Sequence, residues 1–306
     1  MKKKIEKIVF MGTPEFAVPC LEKLLKADYN VVGVITAPDR PAGRGKKLRM
    51  SAVKEFALSK DLNILQPTNL KNKDFQEELK ALNADIQVVV AFRMLPEAVW
   101  NMPPMGSINL HASLLPQYRG AAPINWAIIN GEKETGVSTF FLQHEIDTGK
   151  IIFQEKVAIK ETDYLDVIYD KLMNTGAKLI VKTIDAVNEG VYPQIAQDHI
   201  KEIQHAPKIF KETCEIDSNN SANNIYNKIR GLSPYPAAWT KLDSKTLKIY
   251  KANPITEKHS KEIGFIELTK EALKYYCKDG YLEITELQLE GKKRMKTKDF
   301  LKGFKR

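Results

Sequence analysis

Cysteine is scarce in this 306-residue chain, which carries only Cys20, Cys214 and Cys277. Their odd number and wide spacing fit neither a disulfide framework nor a zinc site, and suit a reducing compartment in which each thiol is inert. Long apolar runs are also missing. No stretch of about 18 consecutive apolar residues occurs, which argues against a membrane-spanning helix. The Met-Lys-Lys-Lys start leads only into Ile8-Val-Phe-Met11, too short for the core of a secretion signal. A cytoplasmic, soluble protein is therefore expected, and it is read as a monomer. Neither Gly-x-Gly-x-x-Gly nor Gly-x4-Gly-Lys-Ser/Thr is present, which argues against a dinucleotide or a nucleoside triphosphate as main ligand. A Gly-x-Ser-x-Gly elbow is missing too, so serine hydrolysis is a poor reading. His111, His144, His199, His205 and His259 show no metal-ligand spacing, and no metal is expected.

What the chain does have is core material and positive charge. Its hydrophobic content of 43% suits a globular protein, and 47 Lys and Arg against 38 Asp and Glu leave a net charge of +9. Such a balance favours polyanionic partners, nucleic acid among them.

Lys7–Gly12, Val31–Thr36 and Ile86–Ala91 are short, nearly continuous apolar runs, as expected of strands covered on both faces. Amphipathic segments of helical length, Phe16–Lys26, Ser51–Lys60 and Asp74–Leu82, lie between them. The alternation predicts a Rossmann-like, mostly parallel sheet wound with helices, with ligands at the carboxyl ends of the strands. A strand around Asn109, a helix Pro123–Ile129, strands Val137–Leu142 and Ile151–Ile159 and a long helix from Thr162 to Asn188 complete a first domain, residues 1–190. Tyr192–Ile209 carries no periodicity, so residues 191–209 read as a linker. A short helix Ser221–Arg230, stopped by Gly231, precedes short strands at Lys248–Tyr250, Ile263–Leu268, Leu273–Cys277, Tyr281–Thr285 and Leu287–Leu289. Residues 210–306 are thus expected to form a small antiparallel sandwich or barrel, the latter of the OB-like kind.

The polar residues inside the strand Ser107-Ile-Asn-Leu-His111 carry the chemistry. Strand alternation puts Asn109 and His111 on one face, aimed at the same point. Each could simply satisfy a nearby backbone group, but a pair side by side can also bind one developing charge. Asp147, in Asp147-Thr-Gly149 after the next strand, is a candidate third member. The same tripeptide is equally compatible with a plain turn. Beside His111 its carboxylate would favour the imidazolium and orient the ring. An imidazolium and an amide then form two donors to an oxyanion, as acyl transfer needs when the enzyme supplies no nucleophile.

Asn109-Leu-His111, Ser113-Leu-Leu-Pro116, Tyr118-Arg-Gly-Ala-Ala-Pro123 and Asp147-Thr-Gly149 together resemble the folate-dependent formyltransferases. Gly12–Pro19, Pro38–Lys47, Gln66-Pro67 and Gly291–Met295 narrow the resemblance, over nearly the whole chain, to the branch that formylates charged initiator tRNA. That resemblance implies formyl transfer from 10-formyltetrahydrofolate to the methionyl amino group, with Asn109, His111 and Asp147 as the catalytic trio. It also implies folate contacts from Ser113, Leu114, Leu115 and Pro116, and a main-chain clasp on the pterin from Phe92, Arg93, Met94 and Leu95.

Two basic segments would then meet the RNA. Arg40, Arg44, Lys46, Lys47 and Arg49 lie in a Pro- and Gly-containing loop after the second strand, where cations can approach phosphates. A solvated, mobile loop would have the same composition. Gly291–Arg306 holds eight cations against Asp299 alone. Lys292, Lys293 and Arg294 are its candidate RNA contacts, although a solvated tail reads the same way. The aromatics of Ser233-Pro-Tyr-Pro-Ala-Ala-Trp239 fit packing better than stacking on RNA. Two rival readings are a formyltransferase of a sugar amine or small ribonucleotide, which would not need these basic segments, and an inactive RNA-binding protein, which would not need the trio.

Overall fold

The computed structural model describes residues 4–42, 47–197 and 202–303. They fall into two compact units. One is drawn from Met1–Arg119, Gly136–Val157 and Tyr169–His205, the other from Gly120–Thr135, Ala158–Ile168 and Ala206–Arg306.

The chain opens with β1 (Ile8–Gly12), α1 (Val18–Lys26), β2 (Val31–Ile35), β3 (Arg40–Ala42), β4 (Lys47–Arg49), α2 (Ala52–Leu58), β5 (Ile64–Leu65), α3 (Lys73–Ala81), β6 (Ile86–Val90), α4 (Glu97–Trp100) and β7 (Ser107–His111), all in the first unit. After the two-residue β8 (Arg119–Gly120) come α5 (Pro123–Ile129), which belongs to the second unit, then β9 (Glu134–Phe141), β10 (Ile151–Ala158), α6 (Leu165–Glu189) and the short β11 (His205–Ala206). Seven strands make one sheet in the order β10-β9-β7-β6-β1-β2-β5. Pairing is parallel from β7 through β6, β1 and β2 to β5, whereas β9 runs antiparallel to β7. Ile8, Val9, Phe10 and Met11 are fully buried, as two helix-covered faces require. Ser51 caps α2, its Oγ accepting from Lys54 N at 3.0 Å, which fixes where the chain turns into that helix.

The basic loop after β2 differs from the expectation of an open loop. Arg40–Ala42 and Lys47–Arg49 pair as an antiparallel ladder with Arg40 opposite Arg49. Arg44 and Lys46 lie outside the described residues. Within the stretch read as a linker, Ile195 and Ile151 exchange backbone hydrogen bonds of 2.9 Å, so this part is tied to the first unit.

The second unit is built on α7 (Ala222–Leu232) and the curled antiparallel sheet of β12 (Ala238–Leu242), β13 (Lys245–Thr256), β14 (Ile266–Leu268), β15 (Leu273–Cys277), β16 (Gly280–Leu289) and β17 (Met295–Lys296), with α8 (Thr297–Gly303) last. Its strands run β12-β13-β16-β15-β14, β17 pairing with β16. Ile225, Ile229, Leu247, Ile249, Leu282, Leu287 and Phe300 share its core. Two local expectations are corrected here. Gly231 does not stop the helix but lies inside it, where a Cβ would sit 2.8 Å from Ile129 Cγ1; its role is close packing of α7 on α5. The two strands expected over Tyr281–Leu289 are one, β16. Within the basic C-terminal segment, Phe300 anchors α8 in the core.

Candidate active site

Strand β7 carries the site. Asn109 lies opposite Val89 of β6 and Phe140 of β9, and His111 opposite Ser138. Asn109 is half-buried, and its side-chain amide has no hydrogen-bond partner among the described residues. His111 is 7% exposed. Its Nε2 lies 2.8 Å from the carbonyl oxygen of Tyr118. A carbonyl can only accept, so Nε2 carries the hydrogen and Nδ1 is the nitrogen left for chemistry. Nδ1 is turned towards Asp147 Oδ2 at 3.9 Å. That is beyond direct hydrogen bonding, so the two side chains face each other without touching.

The structure therefore brings Asn109, His111 and Asp147 together, and it adds an anchor that motif reading does not reveal. The main chain of Tyr118, not Asp147, fixes the imidazole ring. Tyr118 and Asp147 both have left-handed backbones, with φ of 60° and 57°. For residues other than glycine this costs about 1–3 kcal/mol each, and such conformations cluster at functional sites. Gly149, two residues on, admits no side chain, since a Cβ would lie 1.8 Å from the carbonyl oxygen of Phe141.

A buried amide holds the Asp147 loop from behind. Gln197 Nε2 donates to the carbonyl oxygens of Asp147 at 3.1 Å and Gly149 at 2.6 Å. Its Oε1 accepts from Arg119 Nε at 3.2 Å and Nη2 at 2.7 Å. On the outer side of the loop, His144 Nε2 lies 3.2 Å from Glu97 Oε1 and its ring meets Trp100 edge-on.

The loop Ser113–Pro116 is stapled to its surroundings. Ser138 Oγ donates to Ser113 O at 2.6 Å and accepts from Leu115 N at 3.1 Å and from Gln154 Nε2 at 2.8 Å. Ser113, Leu115 and Pro116 are buried and Leu114 half-buried, so this loop offers little side-chain surface to a ligand. The segment Phe92–Leu95 is more open. Phe92 and Leu95 share an apolar cluster with Val89 and Leu142, while Met94 is 73% exposed. The Arg93 guanidinium donates to the carbonyl oxygens of Thr68, at 2.9 Å, and Pro67. Burial, and then the neighbouring charge of Arg40, lower its pKa from the ordinary arginine value. Arg40 and Arg49 are exposed. In the second unit, Lys292 and Lys293 are exposed, whereas Arg294 bonds Glu286 Oε1 at 2.6 Å and lies 4.1 Å over the Tyr250 ring. Tyr235 is 79% exposed, contrary to the expectation that its turn packs inward, while Trp239 Nε1 donates to Lys211 O at 2.9 Å.

Residues 6–184 match the family model described as formyl transferase, and residues 208–305 match its C-terminal domain. A curated relative from Bacteroides thetaiotaomicron, a methionyl-tRNA formyltransferase, is 53% identical over 100% of this chain and 98% of its own length. Its namesake from Parabacteroides distasonis is 55% identical over the same shares. The chain belongs to the methionyl-tRNA formyltransferase family. Solved structures at lower identity share the fold. An N-formyltransferase from Helicobacter canadensis, solved with folinic acid and dTDP-3-aminofucose, aligns with a TM-score of 0.66 at 22% identity, covering 92% of this chain and 98% of its own. HypX from Aquifex aeolicus with tetrahydrofolic acid gives 0.66 at 17%, covering 98% of this chain and 47% of its own. At such identities the likeness speaks for the fold alone.

The functional parts that sequence reading misses are Tyr118 as ring anchor, Gln197 with Arg119, and Ser138 with Gln154. Tyr118 and Arg119 stand inside the motif Tyr118–Pro123, but the role of Tyr118 is borne by its main chain and that of Arg119 depends on a partner far along the chain. Gln197 lies in an aperiodic stretch without any signal.

Proposed function

We propose that this chain transfers the formyl group of 10-formyltetrahydrofolate to the α-amino group of methionyl initiator tRNA. The observation that carries the mechanism is the free Asn109 amide beside His111, whose ring is held by Tyr118 and whose Nδ1 is turned to Asp147. The neutral amine attacks the formyl carbon, forming the new C–N bond, and the carbonyl oxygen gains charge. Asn109 Nδ2 and protonated His111 Nδ1 donate to that oxygen; one such donor is typically worth about 3–4 kcal/mol. The bond to the folate nitrogen then breaks. The proton shed by the attacking amine balances the one gained by the leaving nitrogen, with the Asp147 carboxylate facing the His111 ring.

Half-buried Phe92, Leu95 and Leu142 offer a flat apolar wall for a pterin ring next to the Asn109 strand, with Arg93 and Met94 contributing main chain. Ser113, Leu114, Leu115 and Pro116 back the site. Arg40 opposite Arg49, with Arg93 near Arg40, gathers like charges that a phosphate would relieve. Arg40, Arg44, Lys46, Lys47 and Arg49 are accordingly assigned to the RNA backbone, as are Lys292, Lys293 and Arg294. Catalysis is assigned to residues 1–190, tRNA holding to 210–306 and the connection to 191–209. The protein is read as a cytoplasmic monomer, acting where aminoacylated tRNA is made.

The test is to incubate purified chain with 10-formyltetrahydrofolate and charged initiator or elongator methionyl-tRNA, and to identify the released amino acid. Formylmethionine from the initiator, in large excess over the elongator, is expected. Transfer to a nucleotide-linked sugar amine with none to tRNA would replace this reading with its rival.

A further inference from the structure

The hydrogen bonds behind the site form one continuous line. His111 Nε2 donates to Tyr118 O, Arg119 is the next residue, Arg119 donates twice to Gln197 Oε1, and Gln197 Nε2 donates to the main chain of Asp147 and Gly149. The two ionisable groups of the site thus hang from opposite ends of a single strut. Gln197 is 5% exposed, so water competes little for these bonds.

We propose that Gln197, together with Arg119, is a positioning residue that sets the spacing between His111 Nδ1 and Asp147, and through it the rate of the formyl-transfer step. This rests on the reaction proposed above. A primary amide is the group that fits, since one end must accept from a guanidinium fork and the other must donate to two carbonyls. Glutamate in its place would strengthen the bond to Arg119 but turn an acceptor oxygen towards two carbonyl oxygens. Asparagine is one methylene short of spanning the gap. The strut is not what attaches its own segment, because Ile195 is independently bonded to Ile151. Removing the Gln197 side chain should therefore loosen the Asp147 loop without releasing residues 192–197.

The experiment uses the full chain and the variants Gln197→Ala, Gln197→Glu and Arg119→Lys. Each should slow single-turnover formyl transfer by about tenfold or more while leaving both substrates' KM within about twofold, as misplacement of a catalytic group predicts. In a double-mutant cycle, Gln197→Ala added to Asp147→Asn should cost almost nothing beyond Asp147→Asn alone. Hydrogen exchange over residues 143–150, measured without substrate, should rise in Gln197→Ala and stay level elsewhere. Multiplicative losses in the cycle, or a change in KM with kcat preserved, would overturn the proposal, as would unchanged exchange in that loop. If Gln197→Ala does not fold, the near-isosteric Gln197→Glu carries the same cycle. A wild-type chain that forms no formylmethionyl-tRNA, with exchange rising as described, would sink the reaction and leave the strut standing.

Discussion

His111 and Tyr118 are joined by a 2.8 Å hydrogen bond from the imidazole Nε2 to the main-chain carbonyl, and this contact decides which ring nitrogen works. With Nε2 engaged, Nδ1 is the one that can donate to the formyl oxygen. His111→Ala should therefore cut single-turnover transfer by about a hundredfold or more, with the unfolding temperature close to that of wild type. His111→Gln, which can keep the bond to Tyr118 through its amide but carries no charge, should be about as slow as His111→Ala. Recovery of the rate by glutamine would remove the imidazolium from the mechanism.

Ser138 is fully buried and serves three partners in and around the Ser113–Pro116 loop. Ser138→Ala would take this partner from Ser113 O and Leu115 N, while Gln154 Nε2 keeps its bond to Leu115 O, at a cost of about 1–3 kcal/mol for a buried unsatisfied group. Urea denaturation should show the loss as a lower midpoint with an unchanged slope. A midpoint equal to wild type would mean that the loop finds other partners.

Much of this was legible in the sequence, for definable reasons. β1, β2 and β6 are nearly pure apolar runs, and the two-residue period alone puts Asn109 and His111 on one face. The pairing of Arg40 with Arg49 was not legible, because the composition of that segment suits an open loop equally well. Gly231 misled because a glycine after an amphipathic run signals a helix end, whereas here contact with Ile129 requires it within the helix. Gln197 and Arg119 are 78 positions apart, and no local pattern anticipates a bond that only the folded chain brings together.

Burial raises the pKa of all three thiols, of Cys20 furthest, so little thiolate forms at ordinary pH. Cys20, Cys214 and Cys277 should resist an aromatic disulfide reagent at pH 8 in the native protein and react promptly once it is unfolded. Fast reaction of a native thiol would show that its surroundings open readily.

Replacing Arg40, Arg44, Lys46 and Lys47 together with alanine should weaken tRNA binding and flatten its salt dependence. The log-log slope should fall by about 0.7–0.9 for each phosphate that is no longer neutralised. Folate affinity should be retained, since Phe92–Leu95 and Ser113–Pro116 are untouched. Parallel salt slopes for the two proteins would place these residues off the RNA.

The central claim is that the Asn109 amide and the His111 ring act as a pair on the formyl group of a donor folate. It is tested most directly by single-turnover formation of formylmethionyl-tRNA with the Asn109→Ala chain, beside wild type and with folding checked by circular dichroism. The account predicts a rate lower by about a hundredfold or more at saturating folate and tRNA, in a protein that folds like wild type. A correctly folded Asn109→Ala chain that transfers the formyl group at the wild-type rate would contradict it.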